Sequence, residues 1–325
     1  MQDRVLITGG AGCIGSDLAG ELVRRGSHVT VIDNLSSGKR EHIEEMLSHS
    51  RFRFVEGDLL DQAALDSAMD GARMVWHLAA NPDVKFTAGV GTDKDLRQNT
   101  ICTYNVLERM RLHGVKRLAF ASTSAVYGFS ERQPIPEDAP ARPVSLYGAT
   151  KLSCEAMIGA FQHLFGMDCW ILRFANIVGP KVRKTGRTVI GDFMARLGED
   201  PTRLRILGNG LQAKSYLLSQ ECVEAMMFAV EHAPRGFHVF NLGCQDSLSV
   251  NRIARMVVEA MGLRGVRFEY TGGEGGWPGD VPRFTLDVSA INRLGWRARY
   301  TSEQAVAQAI SATLACAREE ELCRL

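Results

Sequence analysis

The sequence predicts an α/β fold with a doubly wound parallel sheet and a smaller C-terminal α/β lobe. Short β-branched runs alternate with longer helical patterns through the first half of the chain, and a glycine-rich turn follows the first run. Strands are expected at 4–8, 28–32, 51–57, 73–78, 117–122 and 169–174. Helices are expected between or after them, at 13–25, 39–49, 61–69, 92–113 and 146–165.

The rhythm of strands and helices becomes less regular after about residue 180, where glycine and proline are more frequent. We therefore expect residues 1–180 to form the domain with the sheet, and residues 181–325 to form mainly a second lobe, with some segments returning to the large domain. A proline-containing loop at 128–145 separates the fifth predicted strand from the next helix. Loops of this length often form walls of active sites.

The composition excludes several classes of protein. A chain of 325 residues is long enough to bury a substantial core in one large domain or two modest ones. With 45% hydrophobic residues, 23% charged residues and a net charge of +1, the sequence indicates neither disorder nor a basic face for nucleic acid.

The cysteines and the N-terminal segment indicate the cellular compartment in which the protein is expected. Eight cysteines are scattered through apolar or helical stretches without a C-x-x-C pair, a pattern more typical of buried free thiols than of disulfides or a metal site. The N-terminus lacks the basic and then apolar build of a signal peptide, and no run of about 18 apolar residues follows. These features predict a soluble, cytoplasmic protein that has no metal and no membrane partner.

The stretch LITGGAGCIG follows the first predicted strand and begins the first helix. Its Gly10-x-Gly12-x-x-Gly15 pattern fits the dinucleotide fingerprint, and Gly9-x-x-Gly12-x-x-Gly15 fits a close variant. In both, a turn free of Cβ atoms lets the backbone approach a pyrophosphate, and the helix N-terminus offers its N–H groups to the anion. The position of the motif predicts a Rossmann-type dinucleotide-binding domain.

Asp33 lies at the end of the second predicted strand, 18 residues after Gly15. A carboxylate at this point accepts hydrogen bonds from the adenosine ribose hydroxyls and repels a 2′-phosphate. The sequence therefore predicts NAD rather than NADP.

The stretch SLYGATK places Tyr147 four residues before Lys151, so a helix would carry both side chains on one face. A free phenol has a pKa near 10 and is a poor base at neutral pH. A cation within about 4–6 Å favours the phenolate, and we expect Lys151 to lower the pKa of Tyr147 in this way. The pair then predicts a tyrosine that acts as a catalytic acid and base.

An ordered set of motifs extends over nearly the whole chain, and includes TGGAGCIG, DNLSSGKREHI, HLAA, ASTSAVYG, YGATK, RFANIVGP, LGNGLQAKSY and GWPGDVPRF. The set resembles the NAD-dependent nucleotide-sugar epimerase/dehydratase family of the extended short-chain dehydrogenases/reductases, and within it the UDP-glucose 4-epimerases most. The resemblance implies tightly held NAD, a UDP-hexose substrate and inversion at C4 through a 4-keto intermediate. It also implies a homodimer formed through the helices at 92–113 and 146–165.

The resemblance further implies the roles of individual residues. The residues implied for the cofactor are Gly9, Gly12, Cys13, Ile14, Gly15, Asp33, Asn34, Ser37, Gly38, Asp58, Leu59, Leu78, Ala79, Ala80, Asn99, Tyr147 and Lys151. Those implied for catalysis are Thr123, Tyr147 and Lys151, where the Thr123 hydroxyl would donate and accept between the sugar and the phenolate. Those implied for the substrate are Thr123, Tyr147, Asn176, Lys214, Trp277, Arg283 and Phe284.

Two substrate positions depart from the family pattern. Many relatives have arginine where this chain has Lys214 and Trp277, both implied to lie near the substrate phosphates. Lysine keeps the charge but loses the bidentate geometry, and Arg283 is expected to supply the missing cation. Phe284 occupies the position implied to act as a gate beside the C2 substituent of the sugar, where a bulky ring is expected to exclude N-acetyl sugars.

Three other functions remain open. A dehydratase of this family carries Asp-Glu directly after the catalytic threonine, whereas Thr123 is followed here by Ser124 and Ala125. A UDP-glucuronate 4-epimerase would need a basic contact for the C6 carboxylate, for which Lys181, Arg183, Lys184 and Arg187 are candidates. A non-catalytic sensor or scaffold that binds NAD typically lacks the tyrosine or the lysine, and this chain has both.

Overall fold

The computed structural model describes residues 3–83, 91–181 and 188–322. Its strands, in chain order, are β1 Arg4–Thr8, β2 His28–Asp33, β3 Phe52–Glu56, β4 Met74–His77, β5 Arg117–Thr123, β6 Asp168–Phe174, β7 Asn176–Val178, β8 Arg203–Ile206, β9 Ala213–Lys214, β10 Tyr216–Leu218, β11 Phe237–Leu242, β12 Leu248–Ser249, β13 Arg267–Tyr270 and β14 Arg283–Phe284. Seven of them form one sheet in the order β11-β6-β5-β4-β1-β2-β3. All neighbouring strands in this sheet are parallel, which confirms the predicted α/β fold class.

The helices, in chain order, are α1 Cys13–Arg24, α2 Gln62–Met69, α3 Asp93–Asp95, α4 Cys102–Leu112, α5 Leu146–Phe165, α6 Val189–Glu199, α7 Ser219–His232, α8 Val250–Ala260, α9 Ser289–Leu294 and α10 Ser302–Leu322. A π-helical turn at Leu96–Ile101 joins α3 to α4, so the predicted helix at 92–113 is present as three consecutive pieces. No helix of the described residues is both long and apolar enough to cross a membrane.

The predicted helix at 39–49 is wrong. Two separate 3-10 turns, Arg40–His42 and Glu44–Met46, occupy this segment. The segment is anchored on the glycine-rich turn, because Nδ1 of His42 lies 2.9 Å from the carbonyl oxygen of Ala11. This tertiary contact prevails over the local helical pattern, as tertiary context often does.

Helices cover both faces of the large sheet. Leu6 and Ile7 are neighbours on β1, and their side chains belong to two separate buried clusters because successive residues of a strand face opposite sides. This double burial explains why the central strands β1, β4, β5 and β6 are largely apolar runs in the sequence. A third buried cluster, which includes Phe193, Leu204 and Ile253, forms the core of the C-terminal lobe.

The C-terminal part of the chain contributes to both regions. Strand β11 pairs with β6 and forms one edge of the large sheet. Shorter sheets with the orders β10-β7, β12-β9-β14 and β13-β8 lie outside it. Strands β9 and β14 pair in a register that sets Lys214 opposite Phe284, which brings two predicted substrate residues together.

The seven cysteines within the described residues are free thiols, in agreement with the sequence prediction. Among the same residues, no group of three or more His, Cys, Asp and Glu side chains could hold a metal ion.

Candidate active site

The glycine-rich turn between β1 and α1 borders a cavity of about 300 Å³, which we call the cofactor cavity. Gly9 has a φ of 70°, and a Cβ on it would lie 2.6 Å from the backbone nitrogen of Ala79. A Cβ on Gly15 would lie 2.3 Å from the carbonyl oxygen of Gly9. Gly12 is the N-cap of α1, and the first N–H groups of a helix have no acceptor within it. The turn therefore provides space and donors for a pyrophosphate.

Asp33 ends β2 at the edge of the cofactor cavity. Its carboxylate accepts hydrogen bonds from the N–H groups of Ala11 at 3.0 Å and Leu35 at 2.9 Å. Burial raises the pKa of Asp33 above its ordinary value, and the two N–H groups oppose that shift. The N–H groups hold the carboxylate in place, where it would accept hydrogen bonds from ribose hydroxyls and its negative charge would disfavour a 2′-phosphate.

The structure gathers the predicted cofactor residues around this one cavity. Those that line it are Gly9, Gly12, Cys13, Ile14, Gly15, Asp33, Asn34, Ser37, Gly38, Asp58, Leu59, Leu78, Ala79, Ala80, Tyr147 and Lys151. Asn99 is not among the lining residues, because its side chain is buried between two other elements. It accepts the N–H of Asn81 and donates to Oγ1 of Thr150, each at 2.9 Å.

The lining of the cofactor cavity fits a bound NAD. The α1 N-terminus would hold the pyrophosphate, and Asp33 would hold the adenosine ribose. Asn34 donates to Asp58 at 2.7 Å, so the two loops that follow β2 and β3 form one edge at which the adenine would bind.

Helix α5 begins close to the end of β5, with a serine cap at its start and a glycine in its first turn. Ser145 caps the helix by accepting the N–H of Gly148 at 3.1 Å. A Cβ on Gly148 would lie 2.5 Å from the carbonyl oxygen of Ala125, so only glycine permits this approach. Tyr147 consequently forms a hydrogen bond with Thr123, the last residue of β5.

Lys151 lies one turn after Tyr147 on α5, as the spacing predicts, and is only 2% exposed. Its Nζ donates to the carbonyl oxygen of Ala121 at 2.8 Å and lies 4.6 Å from the centre of the Phe120 ring. Burial lowers the pKa of Lys151 to about 8, while Cys154 and Glu155 oppose the shift. The amine therefore remains mostly protonated at neutral pH.

The expected lowering of the Tyr147 pKa by Lys151 is not observed. Burial raises the pKa of Tyr147 to about 12, and the hydrogen bond with Thr123 is what opposes this shift. The Lys151 ammonium is directed at the Ala121 carbonyl instead. A phenolate at neutral pH thus needs a further positive charge, which an oxidised nicotinamide ring would supply.

A second cavity of about 640 Å³, the substrate cavity, adjoins the first, and Pro82 and Ile177 line both. Thr123 lines the substrate cavity and Tyr147 lines the cofactor cavity, so their hydrogen bond lies where the two cavities meet. The predicted substrate residues that line the second cavity are Thr123, Asn176, Lys214, Trp277 and Phe284.

The position of Arg283 does not support its predicted role. Arg283 and Phe284 are the two residues of β14, and successive side chains of a strand point to opposite faces. Phe284 is buried and lines the substrate cavity, whereas Arg283 is exposed and is not among the lining residues of either cavity. Arg283 therefore does not supply the cation that Trp277 lacks.

Lys214 lines the substrate cavity with its charge already paired. Its Nζ lies 2.5 Å from Oδ1 of Asp280 and 5.0 Å from the centre of the Trp277 ring. The other Asp280 oxygen accepts the N–H of Gly276 at 2.8 Å. A substrate phosphate would therefore meet an ammonium that a buried carboxylate and an aromatic ring hold in place.

Sequence reasoning missed several polar residues of the substrate cavity, among them Tyr216, Asp280 and Arg196. Tyr216 forms a hydrogen bond with Asn176, and burial raises the pKa of its phenol. Arg196 follows Asp192 by one turn of α6, and their charged groups lie 3.8 Å apart. The i,i+4 spacing of Asp192 and Arg196 and the GWPGD motif at 276–280 are visible in the sequence. Neither signal shows that these side chains line the substrate cavity.

Of the basic loop proposed for a C6 carboxylate, Lys181 lies within the described residues. Nζ of Lys181 lies 2.7 Å from Oδ1 of Asp17 on α1, and Lys181 does not line the substrate cavity. Arg183, Lys184 and Arg187 lie outside the described residues.

Fold and site together define a Rossmann-type α/β protein with a tyrosine and a lysine between a cofactor cavity and a substrate cavity. The model of the NAD dependent epimerase/dehydratase family matches residues 5–243. The chain belongs to this family, which confirms the prediction of NAD as its cofactor.

Individual relatives agree with this assignment. The chain is 30% identical over 320 residues to a UDP-glucose 4-epimerase of Corynebacterium glutamicum, with 94% of each chain covered. It superposes on a UDP-galactose 4-epimerase with a TM-score of 0.84 and 37% identity, over 97% of this chain and 99% of the other. It also superposes on the UDP-glucuronic acid 4-epimerase of Bacillus cereus, in complex with UDP-glucuronic acid and NAD, with a TM-score of 0.87 and 25% identity over 96% and 99%.

Proposed function

We propose that the protein is a UDP-hexose 4-epimerase that interconverts UDP-glucose and UDP-galactose and keeps its NAD throughout the reaction. The observation that carries this proposal is the position of Tyr147 and Thr123, which interact where the cofactor cavity lined by Tyr147 meets the substrate cavity lined by Thr123. An oxidation and reduction at one sugar carbon requires a proton acceptor at such a junction.

The chain's own residues would act in a definite order. When bound, NAD would supply a hydride acceptor for C4 in its oxidised form and a hydride donor in its reduced form. Tyr147 takes the proton of the 4-hydroxyl, while Thr123 bonds to the same region of the sugar and keeps the phenol oriented. Lys151 adds a positive charge to the lining of the cofactor cavity. The 4-keto sugar then turns within the substrate cavity, and Tyr147 returns its proton after hydride reaches the opposite face of C4.

The charges that line the substrate cavity favour a neutral hexose. Among the described residues, the cations of this lining are Lys214 and Arg196, each with a carboxylate close to it, Asp280 and Asp192 respectively. A hexuronate would need a cation that is not already balanced, because a buried unpaired carboxylate is costly. UDP-glucuronate is therefore the less favoured substrate.

The residues after Thr123 do not favour a dehydratase. Ser124 and Ala125 line the substrate cavity where elimination of water would need an acid and a base. Neither side chain titrates near neutral pH, and the Ala125 N–H is used in a 3.1 Å hydrogen bond to Oγ1 of Thr123. Proton transfer at C5 and C6 therefore lacks a donor and an acceptor among these residues.

The test of this function is a panel of UDP-sugars incubated with the purified protein and followed by proton NMR. UDP-glucose and UDP-galactose are expected to reach the same mixture from either side, well ahead of UDP-glucuronate and UDP-N-acetylglucosamine. If UDP-glucuronate turned over faster than UDP-glucose, the protein would be a UDP-glucuronate 4-epimerase instead. A 4-keto-6-deoxy product would indicate a dehydratase. No turnover of any sugar would favour a non-catalytic protein that binds NAD.

The same panel tests Phe284 as a gate. A phenyl ring in this packed position occupies volume that an acetamido group would need, and such overlap costs about 1–3 kcal/mol, or roughly ten- to a hundredfold in kcat/KM. Phe284→Gly is expected to narrow the gap between UDP-glucose and UDP-N-acetylglucosamine. Arg283→Ala, on the exposed side of the same strand, is the matched control. Equal kcat/KM for both sugars in the unmutated protein would exclude the gate.

We also propose that the protein forms a homodimer through α4, α5 and the π-helical turn before α4. The large exposed apolar side chains of these elements are Leu96, Ile101, Tyr104, Leu112, Leu146 and Leu164. Exposed apolar side chains on helices that pack together are what an interface would cover. Sedimentation velocity should show a dimer that Leu164→Glu weakens, whereas Leu211→Glu, at an exposed leucine elsewhere, should not. A monomer in the unmutated protein would end this proposal.

A further inference from the structure

Lys181 is joined to the first two turns of α1 by three polar contacts. The Cys13 thiol donates to the Lys181 carbonyl oxygen at 3.1 Å. The Lys181 ammonium donates to Oγ of Ser16 at 3.1 Å and pairs with Oδ1 of Asp17 at 2.7 Å. The contacts join the start of α1 to the segment after β7, which are separated by 168 and 165 residues at the two hydrogen bonds.

Both of these parts form the cofactor cavity. On one part, Gly12, Cys13 and Gly15 line it at the start of α1. In the second part of the chain, Phe174 at the end of β6 and Ile177 in β7 line the cofactor cavity. Lys181 is the third residue after β7. The Lys181 contacts therefore bridge two walls of the cavity at the end where the pyrophosphate would bind.

The charges explain why Asp17 is part of the bridge. A lysine ammonium near the N-terminus of a helix opposes the helix dipole, so it needs a negative partner there. Asp17 supplies it within a partly buried pair, whose side chains are 33% and 17% exposed. Burial, with a contribution from Asp17, raises the pKa of Cys13 to about 11, so the thiol keeps the proton that it donates to Lys181.

We propose that Lys181 and Asp17 form a tether that retains NAD by holding the β7 wall of the cofactor cavity against the first turns of α1. Neither side chain lines the cavity, so the two are positioning residues rather than cofactor ligands. Release of the dinucleotide requires these walls to separate, and the tether slows that separation. The proposal does not depend on which sugar is the substrate.

The test measures release of NAD from the purified holoprotein. The protein is dialysed against buffer without NAD, and the dinucleotide that remains is quantified after denaturation at successive times. Lys181→Met and Asp17→Ala are each expected to raise the release rate about three- to tenfold, the range for a partly buried ion pair. The double variant should be no faster than the faster single variant, because both remove one interaction.

Lys116→Met is the matched control, since Lys116 is an exposed lysine that donates to the Phe165 carbonyl away from both cavities. Its release rate should equal that of the unmutated protein. Unchanged release in Lys181→Met would overturn the proposal, as would a lower melting temperature with unchanged release, which marks a purely structural role. Additive effects in the double variant would also overturn it, because the two residues would then act separately.

Discussion

Tyr147→Phe is expected to lower kcat roughly 10²–10⁴-fold, the usual loss when a positioned acid and base is removed. The substitution removes only the phenol oxygen, and with it the hydrogen bond to Thr123. The side chain keeps its volume, so the free energy of unfolding should change little. Initial rates with UDP-glucose and UDP-galactose give the loss, and urea unfolding checks the stability.

Two controls separate chemistry from loss of cofactor. The dinucleotide content of the Tyr147→Phe protein should match that of the unmutated protein, because the donors at the α1 N-terminus and Asp33 are untouched. Tyr270→Phe removes a phenol oxygen that bonds Asn251 in the C-terminal lobe and lines neither cavity, so its rate should stay normal. A normal rate in Tyr147→Phe would show that this tyrosine is not the acid and base.

Arg173→Met is expected to produce the largest loss of stability, about 3–5 kcal/mol, because it leaves a buried carboxylate without its partner. Arg173 and Glu155 are both nearly buried, and Nη2 of Arg173 lies 2.6 Å from Oε2 of Glu155. Arg173 also donates to Oη of Tyr127 and to the Glu137 carbonyl, each at 2.9 Å. Urea unfolding measures the loss.

The double variant Glu155→Gln/Arg173→Met tests the cause of that loss. It removes both charges, so most of the lost stability should return, as replacement of a buried pair often costs little. Arg252→Met, which removes an exposed arginine paired with Glu303 at 2.6 Å, should change stability far less. If Arg173→Met were no more harmful than Arg252→Met, the pair would not be important for stability.

The same buried pair bears on the active site. Glu155 follows Lys151 by one turn of α5 and accepts a hydrogen bond from Ser122 at 2.5 Å. Ser122 lies between Ala121, whose carbonyl holds the Lys151 ammonium, and Thr123. The pair thereby fixes the end of β5 against α5, and this register brings Thr123 to Tyr147.

The sheet and the cofactor site were largely predictable because their signals are local. Strands buried on both faces must be short apolar runs, and all six that were predicted are present. Gly15 is required by a close backbone approach within the glycine-rich turn, Gly9 has a positive φ of 70°, and Asp33 is marked by its place at a strand end. The helix at 39–49 was wrong because the contact of His42 with Ala11 has no counterpart in local pattern.

The substrate side was less predictable because its lining comes from distant segments. Strand β11 joins the large sheet only through its pairing with β6, and the sequence prediction did not include it. Lys214 and Phe284 were identified as substrate residues, but the pairing of Lys214 with Asp280 depends on how β9, β14 and the loop at 275–280 meet. Arg283 was assigned to the substrate although the alternation along β14 turns it to solvent.

By itself, the sequence determined the motifs on which the proposed chemistry depends: a glycine turn with an acidic strand end for NAD, and a tyrosine one helical turn before a lysine. These depend on spacings of a few residues, which a strand or helix converts directly into geometry. Only the tertiary structure decided what the charges do. Packing directs the Lys151 ammonium to the Ala121 carbonyl and pairs Lys214 with Asp280, and burial raises the pKa of Tyr147 to about 12. These electrostatic interactions depend on distances and desolvation, which arise only when remote segments of the chain pack together.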